Sequence, residues 1–121
     1  MERNNVPSWY WNKGLHDATI LNIAVVNIQY DFTQKNPIRN YYSIKLDSSN
    51  ALFDTSIEEL RFMNAKILSN KDDYQGCWWF DDSVEICGAK IIITIQVTDY
   101  RNPKQHKTLK IQCEDVTVLR K

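Results

Sequence analysis

Among the 121 residues, the pair best equipped for chemistry is His16–Asp17, inside the stretch SWYWNKGLHDA from Ser8 to Ala18. An imidazole titrates near neutrality and binds metals, and an adjacent carboxylate can orient it or help move a proton. Completing such a centre takes more ligands or a second acid. The only other histidine is His106, in a polar stretch far along the chain. Zinc centres draw on several His or Cys residues at characteristic spacings, and no such set is present, so no metal and no cofactor is expected. If a strand begins near Leu15, His16 points inward with Ala18 and Ile20, and Asp17 points outward. That predicts a buried imidazole with a backbone carbonyl, Asp81 or Asp82 as partner, and an aspartate that caps a turn.

The second constellation is aromatic. Trp9, Tyr10 and Trp11 precede the first apolar run, and Trp78–Trp79 lie in YQGCWWF. Trp9, Tyr10, Trp11, Trp78 and Trp79 can form a stacking platform for a sugar or a base, or the tryptophans a lid over one end of a core. The lid is the favoured expectation, and any ring left exposed becomes a binding hot spot. Asp81–Asp82, with Glu85 nearby, can act as paired carboxylates, but adjacent acids before Ser83 more often make a hairpin turn. Calcium loops alternate their acids around a glycine, which this run does not. Cys77, Cys87 and Cys113 lie in apolar surroundings and read as packed thiols rather than nucleophiles. The three glycines are scattered, so no phosphate loop is present.

The elements that must position these residues are strands. Ala18–Phe32 is rich in β-branched residues. Its apolar phase switches from Leu21, Ile23 and Val25 to Val26, Ile28, Tyr30 and Phe32, which predicts a β-bulge or a strand break near Val25–Val26. TQKNP (33–37) reads as a turn, Ile38–Asp47 as a strand, and SSNALFD (48–54) as a loop with at most one helical turn. Thr55–Ser69 carries capping-box spacings at Thr55/Glu58 and Ser56/Glu59, yet its apolar residues share no single helical face. A strand over about 59–68 is preferred, with helix as the open alternative. Tyr74–Phe80 is strand-like, Asp81–Ser83 a turn, and Val84–Thr98 a strand with Ile91, Ile93, Ile95 and Val97 on one face. Tyr100–Lys107 reads as a polar turn and Thr108–Leu119 as the returning strand, with a bulge at Glu114–Asp115. Together these predict one domain, 1–121, mainly β. The architecture is a single antiparallel β-sandwich or curved meander sheet, with room for one short helix near 48–60.

Bulk properties narrow the function classes. Fifteen basic and fifteen acidic residues cancel and the pI is about 6.7, so no nucleic-acid partner is expected. The charges are uneven: Asp54–Glu85 holds eight acids and three bases, Arg101–Lys121 six bases and two acids. The acidic middle would suit a basic partner if it formed a surface. The N-terminal residues lack the apolar core of a signal peptide, and no window has the ~18 apolar residues of a membrane span. With an odd number of cysteines, reduced thiols and a cytoplasmic location are expected.

WNKGLHDATILNI, read with LRFMNAKIL, WWFDD and IIITIQV, resembles a loose group of small bacterial β-proteins. Their Trp…(Leu/Phe)-His-Asp-Ala start feeds the first strand, and some are immunity proteins of polymorphic toxin systems. Trp11 and Leu15 to Ala18 carry the close part of the match. The resemblance implies a compact antiparallel β-fold and no known enzyme activity. With no complete catalytic or metal set in the sequence, the expected function is a non-catalytic protein-interaction protein, immunity-like, binding another protein through an exposed sheet face or loop rim. The alternative is a small-molecule or carbohydrate-binding module using the clustered tryptophans. Partner-binding candidates are Trp9, Trp11, His16, Asp17, Trp78, Trp79, Asp81 and Asp82. Oligomeric state is left open, including a dimer through β-edges.

Overall fold

The computed structural model describes residues 7–28 and 39–121. Its strands are β1 (Thr19–Ile28), β2 (Arg39–Asp47), β3 (Ile57–Met63), β4 (Lys66–Ile67), β5 (Trp78–Cys87), β6 (Lys90–Asp99), β7 (Asn102–Cys113) and β8 (Asp115–Arg120). They form one antiparallel sheet in the order β4-β7-β6-β5-β1-β2-β3-β8. Among the described residues there is no helix, so the helix allowed near 48–60 is absent. Ser48–Ser56 is a loop held by Ala51 N–H to Ser48 O at 2.9 Å and by the Ser48 hydroxyl to Ile57 O at 2.6 Å. The preference for a strand over 59–68 holds in two pieces, β3 and β4. TQKNP at 33–37 lies outside the described residues.

The sheet folds over at a corner where two strands change partners. β3 pairs with β8, whereas β4, two residues further on, pairs with β7. The intervening Asn64 takes φ +51°, a left-handed value that asparagine tolerates better than most residues. Its N–H bonds Asn40 O at 2.7 Å, its side chain reaches Glu114 at 2.7 Å, and Glu114 N–H bonds Met63 O at 3.0 Å. In place of the bulge expected at Glu114–Asp115 within one strand, the chain breaks here into β7 and β8, which take different partners. Among the described residues no ladder joins β4 to β8, so the sheet does not close into a barrel. Its two halves face each other across one core. Ile20, Ile44, Leu60 and Phe62 come from one half, and Trp79, Ile93, Ile95, Val97, Leu109 and Ile111 from the other, all fully buried.

Three boundaries differ from expectation. The bulge in β1 falls at Leu21, between the Ile20↔Leu46 and Asn22↔Lys45 pairs, and pairing runs unbroken through Val25–Val26. Val25 is exposed, so the apolar alternation there does not report a buried face. Val84–Thr98 is not one strand: Gly88–Ala89 turns the chain between β5 and β6, with Gly88 at φ +62°. Tyr100–Lys107 is not a long turn either. The turn is confined to Tyr100–Arg101, and β7 starts at Asn102 with a bulge between Asn102 and His106. Among the described residues no helix is long and apolar enough to cross a membrane.

Candidate functional site

Residues 7–17 form a strap along the edge of β5, and the site is built where the two meet. A bulge at Phe80 shapes it: Trp79 pairs with Val97 and Asp81 with Gln96, leaving Phe80 as the extra residue. A strand normally alternates faces. The extra residue instead lets Trp79 and Asp82, three apart, both point inward. Trp78, Phe80 and Asp81 turn outward, towards solvent. Asp81–Ser83 is therefore mid-strand and not the expected hairpin turn.

Asp82 is only 3 % exposed, and it gathers the aromatic constellation. Trp11 Nε1–H donates to its Oδ2 at 2.9 Å and Trp79 Nε1–H to the same oxygen at 2.8 Å, while the Tyr10 hydroxyl donates to Oδ1. Burial, and then the bond to Asp82, push the Tyr10 hydroxyl far above its ordinary pKa. Trp11 and Trp79 meet edge to face, with centroids 5.6 Å apart at 84°. Outside this knot, Lys13 Nζ donates to Asp81 at 2.6 Å and to Asp82 O at 2.9 Å. That bond holds the Asp81 carboxyl below its usual pKa range. Every donor thus has an acceptor, as buried polar groups require.

The lid expectation is thus met by Trp11 and Trp79, which are buried, and by Trp9, which packs partly buried against the core. Trp78 is the exception: it is 45 % exposed, beside Phe80 at 46 %. Tyr10, already part of the aromatic constellation, enters through its hydroxyl, and Lys13 is the member not expected from the sequence. A base beside a tryptophan carries a signal only in combination with the acids it meets in the fold.

His16 does not enter the core. Its Nδ1 lies 2.6 Å from Phe80 O, and since a carbonyl only accepts, Nδ1 carries the proton. The carbonyl partner agrees with expectation, but the ring is partly exposed and tilted against Phe80, centroids 5.8 Å apart. Strand alternation fails here because β1 starts only at Thr19, and Asp17 has φ +75°. Nε2 of His16 consequently comes within 3.7 Å of Asp17 Oδ1, although the two were expected on opposite faces. Among the described residues the Asp17 side chain caps no turn, and its backbone N–H bonds Trp79 O at 2.8 Å. On the other side of Phe80 lies His106, centroids 5.2 Å apart, with Nδ1 3.2 Å from Thr98 Oγ1. The fold thus brings both histidines to one exposed phenyl ring.

Loop 51–54 extends this surface. Leu52 N–H bonds His16 O at 2.9 Å, and Phe53 N–H bonds Gly14 O at 3.1 Å, leaving the Leu52 and Phe53 side chains exposed. Among the described residues no group of three or more His, Cys, Asp or Glu is placed to hold a metal ion. Cys77 and Cys113 are buried as expected, and burial pushes the Cys113 thiol up to about 11. Cys87 differs, being exposed at the end of β5, where its thiol donates to Glu85 at 3.1 Å.

Fold and site together define an all-β protein that presents an aromatic–imidazole patch on the outer face of one sheet half. Comparison with protein-family models, curated proteins and solved structures found no match to this chain.

Proposed function

We propose that this chain is a non-catalytic interaction protein that binds another protein through the patch of Trp78, Phe80, His16 and His106. The observation that carries the reading is the exposure of Trp78 and Phe80 on a strand whose intervening residue, Trp79, is locked into the core. Rigid aromatic rings that need no ordering on contact are what binding hot spots use. Trp11 and Trp79, with Tyr10, support it from behind by fixing β5 through Asp82, and Trp9 packs against Tyr10 and Trp11. A cytoplasmic location accompanies this reading, as does the immunity-like version, in which the partner is a toxin. The latter rests on the resemblance carried by Trp11 and Leu15 to Ala18.

The test is paired affinity capture from the source cells with the full chain and with a Trp78→Ala/Phe80→Ala variant as baits. A partner retained by the former and reduced at least ~10-fold by the latter is expected, the loss of one or two hot spots. A partner held equally by both baits removes the patch from the proposal. Growth rescue on co-expression with that partner tests the immunity-like version.

The carbohydrate reading keeps one specific support: Trp78 pairs across β6 with Thr98, next to Gln96, a neutral polar surface beside an exposed indole. Tryptophan fluorescence that shifts with an oligosaccharide, and does not do so in Trp78→Ala, would favour it.

A further inference from the structure

We infer that the partner segment recognised by this patch is acidic: one apolar side chain flanked by carboxylates. This rests on the interaction reading above and adds the chemistry of the partner to it. The argument starts from the charge left over after folding. Among the described residues, four of the eight acids in the 54–85 segment pair with bases. Asp54 pairs with Arg120 at 2.8 Å, Glu59 with Arg61 at 2.8 Å, Asp72 with Lys107 at 3.4 Å and Asp81 with Lys13 at 2.6 Å. Two of those bases come from the basic C-terminal third. The segment therefore does not form the acidic face that its composition suggested for a basic partner.

The patch is instead flanked by a strand rich in lysine. β7 carries Lys104, His106, Lys107 and Lys110 and no acid at all. Lys107 points inward and is consumed by Asp72 and Asp99. His106 faces outward in the row Trp78–Thr98–His106, and Lys110 faces outward opposite Thr94. Four residues of strand put Lys110 roughly 13 Å from His106 along β7. Lys104 is exposed within the bulge preceding His106. Neither Lys104 nor Lys110 makes a salt bridge among the described residues. On the same outer face of β5, Asp81 is held by Lys13, Glu85 lies one step beyond the Ser83–Thr94–Lys110 row on the side away from the rings, and Asp17 lies beside His16. An apolar residue stacked on Trp78 and Phe80 would place flanking carboxylates within reach of these lysines and of His106. Such charges at the rim act mainly on association rate and on partner choice.

The test uses a random peptide library displayed on phage, selected on the full chain and counter-selected on Trp78→Ala/Phe80→Ala. Retained peptides are synthesised and their kinetics measured against the full chain and against Lys104→Glu/Lys110→Glu. Both lysines are exposed, so this variant keeps the fold, which circular dichroism verifies. Expected are peptides enriched in Asp and Glu around an aromatic or aliphatic residue. Their association should be slowed at least ~10-fold by the charge reversals, with weakening at high salt. Peptides that require Trp78 and Phe80 but are neutral or basic, or that ignore the reversals, overturn the acidic partner and leave the interaction reading standing. If no peptide depends on the two rings, or if only a neutral oligosaccharide does, both fall.

Discussion

One carboxylate organises the site. Asp82 accepts from Tyr10, Trp11 and Trp79. Asp82→Asn turns one acceptor into a donor that faces other donors, so a loss of ~2–4 kcal/mol in urea unfolding is expected. Asp81→Asn removes only an exposed ion pair and should cost under ~1 kcal/mol in the same experiment. A second acid gives a pH signature. The Arg101 side chain, then its backbone N–H, hold Asp99 down at about 2, against an ordinary value of 3.8. Because the folded-state value is the lower one, its stabilisation is fully present above pH ~3.8 and disappears as pH falls towards 2. Acid titration of the fold by circular dichroism should show this loss in the parent chain and a flatter profile in Asp99→Asn. Neither role was legible from residue type. Adjacent aspartates before a serine have the composition of a turn, and only the bulge at Phe80 sends Asp82 inward.

At the scale of elements, the strap 7–17 is both strained and indispensable. Asn12, Lys13 and Asp17 have φ of 49°, 66° and 75°, in the left-handed region that costs L-residues ~1–2 kcal/mol. Asp17→Gly should relieve that cost and leave stability unchanged or raised by up to ~1 kcal/mol, whereas Asp17→Val should lower it, in parallel thermal melts. Gly14 is required for space: a Cβ there would lie 2.9 Å from Trp11 O and 3.3 Å from Asp54 Cβ. Gly14→Ala should cost ~1–3 kcal/mol and loosen the strap, visible as altered tryptophan fluorescence. The strands themselves were largely readable. In β6 the repeat of Ile91, Ile93, Ile95 and Val97 has period two, and all four turn towards the core. Where bounds were missed, the hydrophobic phase ran on through a break, as from Val84 across Gly88–Ala89 into β6, because a two-residue turn leaves little compositional trace.

For the whole molecule, the two sheet halves share one core and should unfold together. Phe62→Ala, in β3, should cost ~3–5 kcal/mol and Ile95→Ala, in β6, ~2–5 kcal/mol. Each should lower a single transition that is coincident by fluorescence and circular dichroism. Two separated transitions would mean that the corner at Asn64 and Glu114 does not couple the halves. The same folding brings distant charges together, as in Asp54–Arg120 and Asp72–Lys107, and so cancels an asymmetry that is plain in the linear chain.

By itself the sequence determined that this protein is built of antiparallel strands, that most of its tryptophans close a core, and which runs carry the alternating apolar face. Those properties follow from periodicity and side-chain type, which act locally. Tertiary structure alone decided which of two adjacent tryptophans is exposed, that Asp82 is buried and Asp81 is not, and that His16 and His106 flank one ring. Each of those outcomes depends on a single inserted residue in a strand and on which strands become neighbours, and neither leaves a local pattern in the chain.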